Sequence, residues 1–225
     1  MGQAVGPAFE QNLWAALQQS PSANAKKQLF KAYQSVALTQ PAQARLYRIW
    51  QTQVAPAGVK LTEDDYTALA LALAVRAYPA GQGAAPQLIL PTQLARIKRL
   101  QFLMPALAPD AATRDAFFAS LKDEQNREKE AWVTSALGYL HHPLRQATSE
   151  KYLPASLDLL EEIQLTGDIF FPSSWLQATL GAYQSPAAAA TVRTFLAAHP
   201  NYNPPLRAKL LQAADDLFRA EKLVR

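Results

Sequence analysis

The chain has 225 residues, 22 Lys+Arg against 18 Asp+Glu, no cysteine and only eight glycines. A chain of this length buries about 70–75% of the surface exposed by its unfolded form, so it needs no covalent staples, and without cysteine it has neither disulfides nor thiolate metal sites. Scarce glycine argues against hairpin-rich sheet, abundant alanine and leucine favour helix, and no apolar run is long enough to span a membrane.

Sixteen prolines punctuate the chain at mostly helix-sized intervals, and apolar residues recur between them at helical spacing. Phe9 to Gln19 is a first short helix. Ser20 is expected to cap a second, with Pro21 in its first turn and Leu29, Phe30, Tyr33, Val36 and Ala37 as its buried stripe. Pro41 opens a third, with Leu46, Ile49, Trp50 and Val54 inside. Thr62-Glu63-Asp64-Asp65 starts a fourth: a hydroxyl caps it and acids face the positive helix end. Its continuation ALALALAV alternates like a strand, yet alanine and leucine are strong helix formers and β-branching appears only at Val75. A helix apolar on all sides is expected there, buried between neighbours.

Tyr78 to Leu90 carries Pro79, Gly81, Gly83 and Pro86, and reads as a loop and a possible internal boundary near 79–91. A fifth helix is expected from about Thr92 to Met104. Asp110 caps a sixth with Phe117, Phe118 and Leu121. Asp123 opens a seventh, with Val133, Ala136, Leu137 and Leu140 on one face. Ser149 caps an eighth through Leu157, Leu160 and Ile163, ended by Gly167. Pro172 starts a ninth with Trp175, Leu176 and Leu180. Ser185-Pro186 starts a tenth with Val192, Phe195 and Leu196. Pro204-Pro205 starts the last, with Leu206, Leu210, Ala213, Ala214 and Leu217. About eleven helices with short connections predict an all-α fold, an irregular α-solenoid of antiparallel helix pairs in one helical-repeat domain over 1–225.

The chemistry-bearing residues are few. His141 and His142 are adjacent, so on a helix they point about 100° apart and chelate one ion poorly; they read as a helix C-terminal turn, as does His199 before Pro200. No H-E-x-x-H, nucleophile elbow, phosphate-binding glycine loop or dinucleotide fingerprint occurs. Asp123 and Arg127 are spaced i, i+4, and Asp158, Glu161 and Glu162 cluster on the eighth helix; both groups read as solvated helix faces. Gly167 to Pro172, with Ile169, Phe170, Phe171 and nearby Trp175, is unusually aromatic for a loop and reads as packing between two helix pairs rather than a peptide clamp. The basic cluster Arg96, Lys98 and Arg99 reads as a solvated helix, so neither nucleic acid nor membrane is an expected partner.

Three runs carry a resemblance: NREKEAWVTSALGYLHHPLR (126–145), SEKYLPASLDLLEEIQLTGDIFFPSSWL (149–176) and SPAAAATVRTFLAAHPNYNPPLRAKLLQAADDLFRA (185–220). With LTEDDYTALALALAVRAYP (61–79) and RIKRLQFLMPALAPDAATRDAFFASLKD (96–123), they resemble the C-terminal helical domain of bacterial zinc aminopeptidases of the aminopeptidase N family. The resemblance spans roughly residues 45 to 221. It implies a non-catalytic domain that curves over a thermolysin-like catalytic domain, closes the active-site chamber and limits which peptides enter. Zinc, the H-E-x-x-H motif, a catalytic tyrosine and a G-x-M-E-N segment belong to that other domain, so no catalytic, metal or cofactor residue is expected here. The implied partners are the upstream catalytic domain and, indirectly, peptide substrate. The absence of cysteine fits a cytoplasmic and a bacterial periplasmic location alike, so the compartment stays unknown at this point. The NRE and HPLR strings make Arg127, Glu128 and Arg145 the substrate-chamber candidates, an arginine being suited to a bidentate carboxylate contact; structural ion pairing between helices is the competing reading. A non-catalytic paralogue, or a freestanding helical-repeat scaffold for a protein partner, is the alternative.

Overall fold

The computed structural model describes residues 2–79 and 94–223, with side chains outside 2–5 and 94–96. All regular structure among these residues is helical. The chain divides into two compact units, Met1–Ile97 and Lys98–Arg225. The loop expected at 79–91 lies almost wholly outside the described residues.

The first unit contains α1 (Gly2–Gln19), α2 (Ala23–Val36), α3 (Gln40–Thr52) and α4 (Glu63–Val75). Helix α1 starts seven residues earlier than expected and accommodates Pro7. The cap of α2 is Ser22, not Ser20: its hydroxyl accepts from the Ala25 amide, and Pro21 stands before the helix. Phe30, Tyr33 and Ala37 are buried as expected, and in α3 so are Leu46, Ile49 and Trp50. Val54 is not. The chain leaves α3 through Gln53 in the left-handed region, φ 55°, and Val54 falls beyond the helix, 67% exposed. At α4, Thr62 and Asp65 exchange backbone and side-chain hydrogen bonds in a capping box. The alternating ALALALAV is helix, with Leu69, Ala70, Leu71, Leu73, Ala74 and Val75 all buried. Leu69, Ala70 and Leu73 pack in one cluster with Leu17, Phe30, Tyr33, Leu46 and Trp50; burying a leucine this completely contributes about 1.5–3 kcal/mol.

Two charges, the buried Glu10 and the half-buried Arg76, fasten the α2–α3 turn. Glu10 of α1 accepts from the backbone amides of Leu38 and Thr39, at 2.6 and 3.0 Å, and from the Thr39 hydroxyl. Arg76, after α4, donates to the carbonyls of Ala37, Gln34 and Ser35 at 2.7, 3.1 and 2.8 Å. An anion thus meets the free amides entering α3 and a cation the free carbonyls leaving α2, as helix ends require.

The second unit takes most of α5 (Leu94–Leu107), then α6 (Ala111–Ser120) and α7 (Glu130–Leu140). Helix α5 carries Pro105 in its last turn and runs three residues past its expected end. Asp110 caps α6 through the Thr113 amide. Asp123 caps only a 3₁₀ turn, Glu124–Arg127, and α7 begins after it at Glu130; Val133, Ala136, Leu137 and Leu140 are buried as expected. The expected eighth helix is delivered in pieces: α8 (Gln146–Ser149), a 3₁₀ turn at Glu150–Tyr152, α9 (Leu153–Asp158) and α10 (Leu160–Thr166). Ser149 does not cap a helix; it is buried and donates to the Leu140 carbonyl at 2.6 Å, tying these pieces to the end of α7. Then come α11 (Phe171–Leu180), α12 (Pro186–Ala198) and, broken at Ala214, α13 (Pro204–Ala213) and α14 (Asp215–Leu223).

In this unit contacts join both chain neighbours and more distant helices. Helix α7 packs on α11 and α11 on α13, while α9 packs on α12 and α12 on α14; α10 also packs on α11, and α13 on α14. Trp175, Leu176, Leu180, Val192, Leu206, Leu210 and Leu217 lie in its interior.

Candidate functional site

Of the residues singled out in the sequence, Arg145 points inward. Its guanidinium donates to the carbonyls of Ala106 and Leu107 at 2.9 and 2.7 Å, and to that of Ala108 at 3.4 Å. Arg114 donates to the next carbonyls, those of Ala108 and Pro109, both at 2.7 Å. Two buried cations therefore close the C-terminal end of α5, where the dipole is negative. Burial, with Arg114 close by, lowers the Arg145 pKa to about 10.

Arg127 is also withdrawn, at 3% exposure. It donates to the Leu121 carbonyl and to Glu162 Oε1, both at 2.5 Å, joining the end of α6 to α10. The i, i+4 partner Asp123 is not used: the 3₁₀ turn carries Arg127 under the chain, and Asp123 instead accepts from the Gln125 amide. Glu128 is the candidate that faces solvent.

Arg127 and Glu128 nonetheless line one cleft of about 340 Å³, with Glu124, Gln125, Glu130, Thr166, Gly167 and Phe171. Its carboxylates have a simple origin. The 3₁₀ turn ends before α7 begins, and acids are favoured at both helical entrances. Glu130 Oε1 accepts from the Asp168 amide at 2.7 Å, which pins the loop after α10 to the start of α7. Gly167 is the point of closest approach. A Cβ there would lie 2.7 Å from Phe171 Cδ1 and 2.9 Å from the Ile163 carbonyl oxygen.

A second cleft, about 510 Å³, is lined by Thr134 of α7, Ser173, Ser174, Gln177 and Ala178 of α11, and Lys209, Gln212 and Ala213 of α13. No sequence motif marks it, because its residues are contributed by three helices that are distant in the chain. Between the clefts stands the aromatic loop, which divides its side chains. Phe171 and Trp175 are buried, whereas Ile169 and Phe170 are 75% and 74% exposed and Leu165, just before, is 85% exposed. The expectation of packing holds for the first pair and fails for the others, since helix α11 turns inward only from Phe171.

The histidines serve structure. His141 ends α7 and is fully buried, its Nδ1 2.9 Å from the Tyr183 hydroxyl and its ring edge-on to Tyr152 and Tyr183. Burial lowers its pKa to about 3, so it is neutral and does not act as a cation at the helix end. His142 Nδ1 accepts from the Leu144 amide, capping the next turn. His199 Nδ1 lies 2.8 Å from the Phe195 carbonyl at the end of α12, as expected. Of the basic cluster, Lys98 and Arg99 are exposed and the Arg96 side chain lies outside the described residues. Among the described residues no group of three or more His, Asp or Glu side chains is arranged to hold a metal ion, and no helix is long and apolar enough to cross a membrane.

No protein-family model matches the chain, and no curated protein matches it either.

Proposed function

We propose that this chain is the C-terminal helical domain of a zinc aminopeptidase of the aminopeptidase N type. It shapes access to a peptide chamber whose zinc and catalytic residues reside in a separate thermolysin-like domain. The collinear resemblance over residues 45–221 motivates the reading. The observation that carries it is the carboxylate-walled cleft built by the resembling segments themselves, with Glu128 open to solvent in it. On this reading the chain contributes a wall and no reacting group, and Glu128 takes the peptide-facing role in place of Arg127 and Arg145, which hold helix ends. A carboxylate there favours peptides with a positive charge at the contacting position.

The test has two parts. The coding sequence upstream of residue 1 is expected to encode H-E-x-x-H followed by a more distant glutamate; a stop codon there counts against the proposal. In the complete enzyme, Glu128→Gln is expected to raise KM for cationic peptides several-fold with kcat unchanged, the signature of lost uniform binding. An unaltered KM across peptide charge and length removes the substrate role of the cleft.

The exposed Leu165, Ile169 and Phe170 favour a second reading, a helical-repeat scaffold that binds a protein partner. It is distinguished by the absence of a peptidase domain in the same reading frame.

A further inference from the structure

The larger cleft of the second unit, about 510 Å³ between α7, α11 and α13, is lined by polar groups that the fold itself does not use. Elsewhere in this unit helical hydroxyls turn back on their own backbone: those of Ser135, Thr166, Thr179 and Thr191 each donate to the carbonyl one turn earlier. The three hydroxyls that line the cleft, on Thr134, Ser173 and Ser174, make no hydrogen bond among the described residues, and neither do the side-chain amides of Gln177 and Gln212. Five polar side chains from three helices thus present donors and acceptors to one space without an internal partner. Lys209 is the one charged group in the lining. Its Nζ donates to the Ile169 carbonyl at 3.2 Å, which holds it at the cleft and leaves two N–H groups over, and it forms no ion pair among the described residues.

This lining disfavours whole classes of ligand. Among the described residues it offers no carboxylate to hold a hard metal ion, no aromatic ring to stack on a base, and no wholly apolar side chain but two alanines to receive a lipid chain. A bare oxyanion is far too small to meet groups on all three helices, whereas a ligand of sugar size fits a cleft of this volume. Hydroxyl and amide side chains both donate and accept, as the hydroxyls of a polyol do, and the unpaired ammonium supplies a counter-charge. We propose that this cleft binds a small polyhydroxylated anion, a sugar bearing one phosphate or carboxylate group. Lys209 meets the anionic group, and the hydroxyls and amides meet the sugar. A peptide main chain is a poorer fit, because it brings no charge to Lys209. The site shares no residue with the acidic cleft, so it stands whether or not a peptidase domain precedes this chain.

Isothermal titration calorimetry and amide chemical shifts of the full 225-residue chain test it. The probes are glucose 6-phosphate and gluconate; glucose, inorganic phosphate and a blocked tetra-alanine peptide are the controls. At least one of the two sugar anions is expected to bind with a Kd at or below ~1 mM, at least ~10-fold more tightly than any control, and less tightly as salt rises. The tighter of the two identifies the anionic group. The shifts it causes should concentrate at residues 173–178 and 209–213. Lys209→Met should weaken binding ~10-fold. That change also frees the Ile169 carbonyl, so Gln177→Ala/Gln212→Ala is its companion: both residues are exposed, and the thermal midpoint should match the parent's while binding weakens ~5-fold or more. Absence of binding at ~10 mM, an affinity matched by glucose, phosphate or the peptide, shifts that fall elsewhere, or indifference to either variant overturns the proposal.

Discussion

The two units handle apolar surface differently. In the first, the exposed large apolar residues Phe9, Leu38 and Val54 are scattered, while the buried Glu10 and half-buried Arg76 fasten the α2–α3 turn. In the second, buried arginines also fasten helix ends, yet three large apolar residues, Leu165, Ile169 and Phe170, stand exposed within six positions beside free carboxylates. Isolated exposed leucines are ordinary on any protein surface; a cluster beside unpaired charge marks a place for contact. The comparison divides the second unit's chemistry: its buried arginines hold helix ends, as Glu10 and Arg76 do in the first, while its apolar cluster stays exposed.

The sharpest way to break that division is at Arg145. Arg145→Met leaves the Ala106 and Leu107 carbonyls without their cation and is expected to cost about 3–5 kcal/mol, read as a fall in the denaturation midpoint. If stability is unchanged, the arginine is not a structural fastener. Acid should then separate the units' buried groups. The folded pKa of His141 is about 3, below the unfolded value near 6.5, so the unfolded chain binds the extra proton. Its contribution is complete above about pH 6.5 and is lost progressively as pH falls toward 3, by a few kcal/mol. His141→Phe should flatten that part of the stability profile.

Smaller effects sharpen the picture. Gly167→Ala places a methyl against Phe171 and the Ile163 carbonyl and is expected to cost about 1–3 kcal/mol in thermal or urea unfolding, with the loop displaced. For Asp65, burial opposes its charge, but the 2.6 Å hydrogen bond from Lys27 and those from the Thr62 amide and hydroxyl outweigh it, bringing its pKa to about 2. The stability this supplies is present above the usual carboxylate pKa near 4 and disappears between there and 2. Discounted for solvent screening it is about 1 kcal/mol, and Lys27→Met should remove most of it from the pH titration of unfolding. Phe170→Ser, by contrast, should leave unfolding within about 0.5 kcal/mol of the parent.

Local chemistry explains why the fold was readable. Thr62 and Asp65 declare a helix start in four residues, and the apolar face of Val133, Ala136, Leu137 and Leu140 declares a helix by spacing alone. Ser149 misled because a serine before a periodic run looks like a cap whether its hydroxyl turns to its own helix or, as here, to the Leu140 carbonyl nine residues back. Val54 misled because periodicity does not reveal that Gln53 has already turned left-handed. The site was half legible. The family resemblance singled out the strings around Arg127, Glu128 and Arg145, but which of them faces water depends on Glu162, 35 residues downstream of Arg127, and on the end of α5. The second cleft gave no signal, since its lining is ordinary surface chemistry brought together only by stacking.

The order of packing in the second unit has a mechanical consequence. Helix α13 leans on α11 and α14 on α12, while α11 leans in turn on α7. A force applied at α14 in an optical trap should therefore part the α12–α14 and α11–α13 contacts before it reaches the α7–α11 seam.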